Sequence, residues 1–358
     1  MELVKYELYK IFSQKVIYIA FIVFVSLFSF HFANEVRMDE DRGQLRNAFA
    51  QYGGQVTAEK IAWANQVIEQ FKSENEKVKE AGGSETSAYK ELILQADVAY
   101  QFANVEQLIQ NYEQELIVPD TIGYHHGWKR ILQFMSEIGC FFVGALTILG
   151  LSSSYSSEYV SRMDNLLFSS RNGRFKLAAS KIGAATLYCA VVVGLFSAVA
   201  FILYGIAYSW DGGTMKLVNI LSIFGQTGFS GTVWQYYLLQ LAYTTIGCIA
   251  IGLLAMLLSS LTRFAILPAF LSGLVFIVPF IASIVPISRT AAVEWMFRIF
   301  RYFEFIQLGS LDSAFYFFHF FGIPVGYAIG ILIIMIFYIT LTVGLLIWSV
   351  SRRQVTSG

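Results

Sequence analysis

Cysteine, histidine, proline and charge are all scarce in this chain. Its 358 residues include three cysteines, four histidines and five prolines, and only 14% are charged. Cys140, Cys189 and Cys248 all fall inside hydrophobic runs. They provide neither a disulfide framework nor zinc spacing and read as small buried hydrophobes. His31, His125, His126 and His319 include no pair at i, i+4 spacing, so a haem or metal-redox centre lacks its ligands. His125-His126 beside Trp128 reads as a polar turn at a membrane surface, because adjacent residues do not share a helix face. No G-x-x-x-x-G-K-[ST] phosphate loop occurs, nor H-E-x-x-H, nor G-x-S-x-G. The chain is therefore read as a non-enzyme that cradles no nucleotide by that loop and needs no cofactor of its own.

What remains is hydrophobic. With 56% apolar residues, the composition is that of a membrane protein. Formal net charge is zero, yet residues 34–128 hold sixteen Asp or Glu against eight Lys or Arg, leaving a basic excess elsewhere. No compact basic domain exists to meet phosphates, which argues against a nucleic-acid partner. Six runs reach the ~20 residues that span a bilayer. They are Val16–Ala33, Ile131–Leu151, Ile182–Tyr208, Trp234–Leu258, Phe264–Val285 and Gly322–Val350. Long uninterrupted runs mean helices rather than barrel strands, so the expected fold is an all-α polytopic membrane protein with six transmembrane helices.

The positive-inside rule sets direction. Residues 1–15, 152–181, Arg263 and the tail from 351 to 358 hold eleven basic and four acidic residues. With those segments cytoplasmic, both termini face inward and the acidic region 34–128 lies outside. Residues 1–15 carry Val4, Leu8, Ile11 and Phe12 on one side and lysines elsewhere, the pattern of an interfacial helix against lipid. A signal-peptide reading is weaker, because Val16–Ala33 is long for an h-region and lacks a clear cleavage site. In the outside insertion, Ile61, Ala64, Ile68 and Phe71 repeat at helical spacing, as do Tyr89, Leu92, Ala96, Ala99, Ala103 and Tyr112. Two antiparallel helices joined at Gly82-Gly83 are expected, with a coiled-coil arm as the rival. Residues 286–321 mix aromatics with Glu294, Arg298, Arg301, Glu304 and Asp312, which suits re-entrant or interfacial helices.

Candidate functional residues cluster in two places. The stretch Ser152–Lys181 sets Arg162, Arg171, Arg174, Lys176 and Lys181 against Glu158 and Asp164. Helical periodicity from Glu158 to Phe168 puts Tyr159, Met163, Leu166 and Leu167 on one side, a surface for a soluble partner. Within the spans, Glu137 is the one acid, which makes it a pathway candidate. Gln240 lies on a polar stripe of the fourth span, for which interhelical hydrogen bonding is the simpler reading. Phe141, Tyr236 and Tyr237 are aromatics that either line a path or pack helices.

Ser157-Glu158-Tyr159, then Asn165-Leu166-Leu167, then Ser170-Arg171 and Lys181, resemble the cytoplasmic loop of ABC-2 type (type V) exporter membrane subunits. The overall order of interfacial helix, six spans, loop after span two and charged hairpin before span six is similar too. Ser169 stands where the family usually has proline, and the long outside insertion departs from compact members. The resemblance implies a loop that docks into a cytoplasmic ABC ATP-binding subunit, present in two copies and holding ATP and Mg. It also implies a second copy of this chain or a related permease, in a bacterial cell membrane. On that reading Glu158, Tyr159, Arg162, Met163, Leu166, Leu167, Phe168, Arg171 and Arg174 couple ATP hydrolysis to export. The expected cargo is an amphipathic peptide, such as a phenol-soluble modulin. A small antibiotic, a lipid-linked compound or an ion is the alternative. The reading from another class is a membrane sensor with an outside peptide-binding domain.

Overall fold

The computed structural model describes residues 2–39, 41–80, 86–111, 119–160, 173–220, 229–262, 264, 266–284, 317–320 and 322–352. It is an all-α polytopic membrane fold. Five helices are long and apolar enough to cross a bilayer, covering Lys15–Met38, Cys140–Val160, Phe175–Tyr208, Val233–Leu261 and Ile329–Ser351. The expected fifth span forms a helix whose described apolar stretch, Ile266–Val278, is shorter than the other five.

Helix α1 (Glu2–Phe12) buries Ile11 and exposes Tyr6 and Tyr9. It lies along the start of α9 (Gly173–Tyr208), with Val4 packed beside Gly183. A break at Ser13-Gln14 leads into α2 (Lys15–Met38), whose 24 residues reach about 36 Å. Phe24 of α2 stacks on Phe142 of α7 (Cys140–Leu151), with ring centroids 4.9 Å apart. Helix α10 (Val233–Leu261) starts with a capping box, in which Thr232 and Gln235 satisfy each other's backbone N–H groups. Helix α11 (Ile266–Ile284) sets Phe276 into the notch at Gly144 of α7, where a Cβ would come within 2.4 Å of the ring. Helix α12 (Tyr327–Arg352) packs on α10.

The insertion is helical. Helices α3 (Arg42–Tyr52), α4 (Ala58–Glu80) and α5 (Ser87–Asn111) share a core of Phe49, Ala64, Ile68, Ala96, Ala99 and Phe102. The bonds Asn65 to Glu106 and Tyr89 to Asn75 run α4 and α5 antiparallel, and Ala81–Ser84, where the turn was expected, fall outside the described residues. Strands β1 (Gly54–Gln55) and β2 (Thr121–Ile122) pair antiparallel and close the insertion where the chain returns.

Several boundaries differ from the expectation: α2 runs on to Met38 past Ala33, and α9 begins at Gly173 ahead of Ile182. Strands β3 (Phe317–Phe320) and β4 (Ile323–Gly326) form a hairpin, so the last helix begins at Tyr327 rather than Gly322. Gly322 takes φ +83°, which a turn requires, and Pro324 withholds a backbone donor. The remainder of the expected aromatic segment, residues 286–316, lies outside the described residues.

Candidate functional site

Two polar clusters cap the helical bundle, one at each end of α9. Lys181 and Tyr204 are 23 residues apart on that helix, about 34 Å along its axis. That distance is close to the ~30 Å thickness of a bilayer's hydrocarbon core.

The first cluster is built where α1, α8 (Ser156–Val160) and α9 meet. The Lys181 side chain is 1% exposed, and its Nζ donates to Glu158 Oε1 at 2.6 Å and Glu7 Oε2 at 2.9 Å. It also donates to the Ser154 carbonyl at 2.9 Å and lies 5.0 Å from the centre of the Tyr155 ring. Lys10 reaches Glu158 Oε1 at 2.7 Å. Two lysines and two glutamates thus alternate across three segments that are far apart in sequence. Burying ions is costly, and close pairing with added hydrogen bonds is what makes such a cluster tolerable.

The short helix α8 is held from other sides as well. Ser259 Oγ of α10 accepts from the backbone N–H groups of Tyr155 at 3.1 Å and Ser156 at 3.0 Å, satisfying donors at the helix start. Tyr159 is buried, and its hydroxyl donates to the Ser260 carbonyl at 3.4 Å. Ser260 in turn meets Ser349 of α12 at 3.2 Å. Gln14 bonds the Gly150 carbonyl at 3.3 Å and accepts from Ser153 at 3.1 Å. The expected docking surface therefore begins with two buried residues, because Glu158 and Tyr159 face their own chain. Arg162, Met163, Leu166, Leu167, Phe168 and Arg171 lie outside the described residues. Arg174 sits in the first turn of α9.

Helix α6 (His126–Phe134) passes into α7 through a π-helical turn, Met135–Gly139, that contains Glu137. Such a turn shifts the hydrogen-bond ladder by one residue and leaves carbonyls in need of partners. Gln240 Nε2, 1% exposed on α10, donates to the Leu132 carbonyl at 3.1 Å. Ser136 Oγ bonds Leu132 O and Gln133 O at 3.1 and 3.0 Å. Two of the pathway candidates thus converge on one backbone irregularity. The aromatic candidates are used in packing. Tyr237 donates to the Ser197 carbonyl at 3.2 Å, Tyr236 meets Phe229 edge-on, and Phe141 meets Phe276 edge-on.

The second cluster lies at the insertion end. Arg130 forks between Glu35 Oε1 at 2.8 Å and Asp39 Oδ2 at 3.1 Å. Tyr204 and Tyr208 donate to the same two carboxylates. Nearby, His125 is buried with Nδ1 2.7 Å from the Gly123 carbonyl. Burial pulls its imidazole down to about 4, and burial with the neighbouring His125 does the same to His126. Sequence reasoning missed both clusters, since their partners stand up to 174 residues apart. Among the described residues no group of three His, Cys, Asp or Glu could hold a metal ion.

No protein-family model matches the chain, and neither the curated proteins nor the solved structures include a significant match.

Proposed function

We propose that this chain is the membrane subunit of an ATP-driven exporter, coupled through the loop between α7 and α9 to a separate cytoplasmic ATP-hydrolysing subunit. One observation carries the reading. The start of that loop is tied by charge to α1 and α9 at once, through Glu158, Lys181, Glu7 and Lys10. A displacement of residues 161–172 by a partner would be passed to two membrane-associated helices rather than absorbed in a slack turn. The basic character of that loop favours the cytoplasmic side. Its chemistry, with Arg162, Arg171 and Arg174 around Met163, Leu166 and Phe168, is that of a surface steered by charge and anchored by apolar side chains. A second copy or a related permease would complete the path, and an amphipathic peptide is the cargo that an apolar bundle best accepts.

The deciding experiment purifies the chain with the ATP-binding protein that copurifies from its own cell. Arg171→Glu should reduce cargo-stimulated ATP hydrolysis while leaving membrane insertion intact. Unaltered stimulation, or the absence of any copurifying ATP-binding protein, would overturn the proposal.

A further inference from the structure

A cavity of about 380 Å³ opens where the ends of α2 and α9 meet the helical insertion. Its size falls within the ~300–1,000 Å³ range of small-molecule pockets. Its walls carry charge of both signs. Asp39 is already held by Arg130 and Tyr208. Arg37, Arg42, Asp41 and Asp97 remain, two cations and two carboxylates, and among the described residues none of them forms an ion pair.

Arg42 lies over the Tyr208 ring at 5.5 Å, and both residues line the cavity. Guanidinium groups suit phosphate, and carboxylates suit an ammonium. A balanced set of two cations and two anions matches a ligand that is itself neutral and carries both charges. The position supplies the setting. The cavity lies at the ends of two spanning helices, next to Met38, which is 86% exposed.

We propose that this cavity binds a phosphate–ammonium zwitterion of the phosphoethanolamine type, with phosphate against Arg37 and Arg42 and ammonium against Asp41 and Asp97. Two sources share that chemistry, the headgroup of an ethanolamine phospholipid and free phosphoethanolamine. The site is independent of the transport reading, because it requires neither a partner subunit nor a cargo.

The test titrates the purified full chain in detergent with phosphatidylethanolamine carrying two hexanoyl tails. Phosphatidylglycerol with the same tails and free phosphoethanolamine are run in parallel. Saturable binding of the ethanolamine lipid, about tenfold or more tighter than the glycerol lipid, is expected. Asp97→Asn and Arg42→Met should each weaken it by about tenfold, whereas Arg46→Ala, which breaks an exposed pair with Asp211, should not. Free phosphoethanolamine binding as tightly as the lipid identifies a soluble ligand, and much weaker binding identifies the lipid. Should Arg42→Met fail to fold, Arg37→Met reads the phosphate side in its place. Equal binding of the two lipids, no saturable binding, or no loss in the folded variants would overturn the proposal.

Discussion

Lys181 Nζ and Glu158 Oε1 stand 2.6 Å apart with both side chains almost fully enclosed, although 23 residues of chain separate them. The contact fixes the exit of one membrane segment to the entrance of the next. Glu7 and Lys10 bring the amino-terminal helix into the same contact. The energetics of the whole end of the bundle follow from this arrangement.

Removing the central cation should be severe. Lys181→Met leaves Glu7 buried without its cation and Glu158 with Lys10 alone, and losing one partner of a buried pair costs about 3–5 kcal/mol. Unfolding can be followed with a thiol-reactive dye, because Cys140, Cys189 and Cys248 are all buried. The triple change Glu7→Gln, Glu158→Gln, Lys181→Met should recover a good part of the loss. A Lys181→Met protein as stable as the parent would contradict the network.

Gln240→Leu should cost less. The Leu132 carbonyl keeps its bond from Ser136, and interhelical hydrogen bonds in membranes average about 0.6 kcal/mol. The expected change is a drop in thermal midpoint much smaller than that of Lys181→Met. A larger one would mean that the π turn depends on Gln240 for its shape.

At the other end, Arg130→Met places Glu35 and Asp39 together without their shared cation. Arg130 is 28% exposed, so solvent screening limits the loss to about 1–2 kcal/mol. Added salt should lessen it, since screening weakens repulsion between partly exposed carboxylates. Salt-independent destabilisation would point to lost packing instead.

Acid should weaken the insertion end through His125. Its imidazole titrates near 4 when folded, against about 6.5 when unfolded, so between those values the unfolded chain takes up the extra proton. This contribution is fully present above pH ~6.5 and is lost as pH falls through ~4, with a full size of about 3 kcal/mol. Melting at pH 7 and at pH 4.5 should therefore differ more in the parent than in His125→Gln. Identical pH dependence in the two would remove His125 from the account.

Periodicity made much of the bundle readable. Ile61, Ala64, Ile68 and Phe71 repeat on one helical face, and α4 forms where they do. The polar start of the chain and its apolar stripe likewise yield α1, with Ile11 buried. The sequence conceals what depends on distant partners. Lys181 counts as one more positive charge in a basic stretch, and nothing local separates a buried counterion from a solvated one. Glu137 marks its segment, but the π turn around it is a backbone shift whose Gln240 bond crosses 108 residues. The run Gly322–Gly326 is apolar enough to pass for the start of the last helix. Gly322 and Pro324 are the only local signs of the turn and strand that form there.

Helix α9 runs unbroken for 36 residues, with Lys181 anchored near its beginning and Tyr204 and Tyr208 tethered near its end. Such a helix curves only gently unless its hydrogen-bond ladder is interrupted. Tilt or rotation imposed at the lysine must therefore reappear at the tyrosines, several nanometres away. The two charged anchors thus act as opposite grips on a single lever.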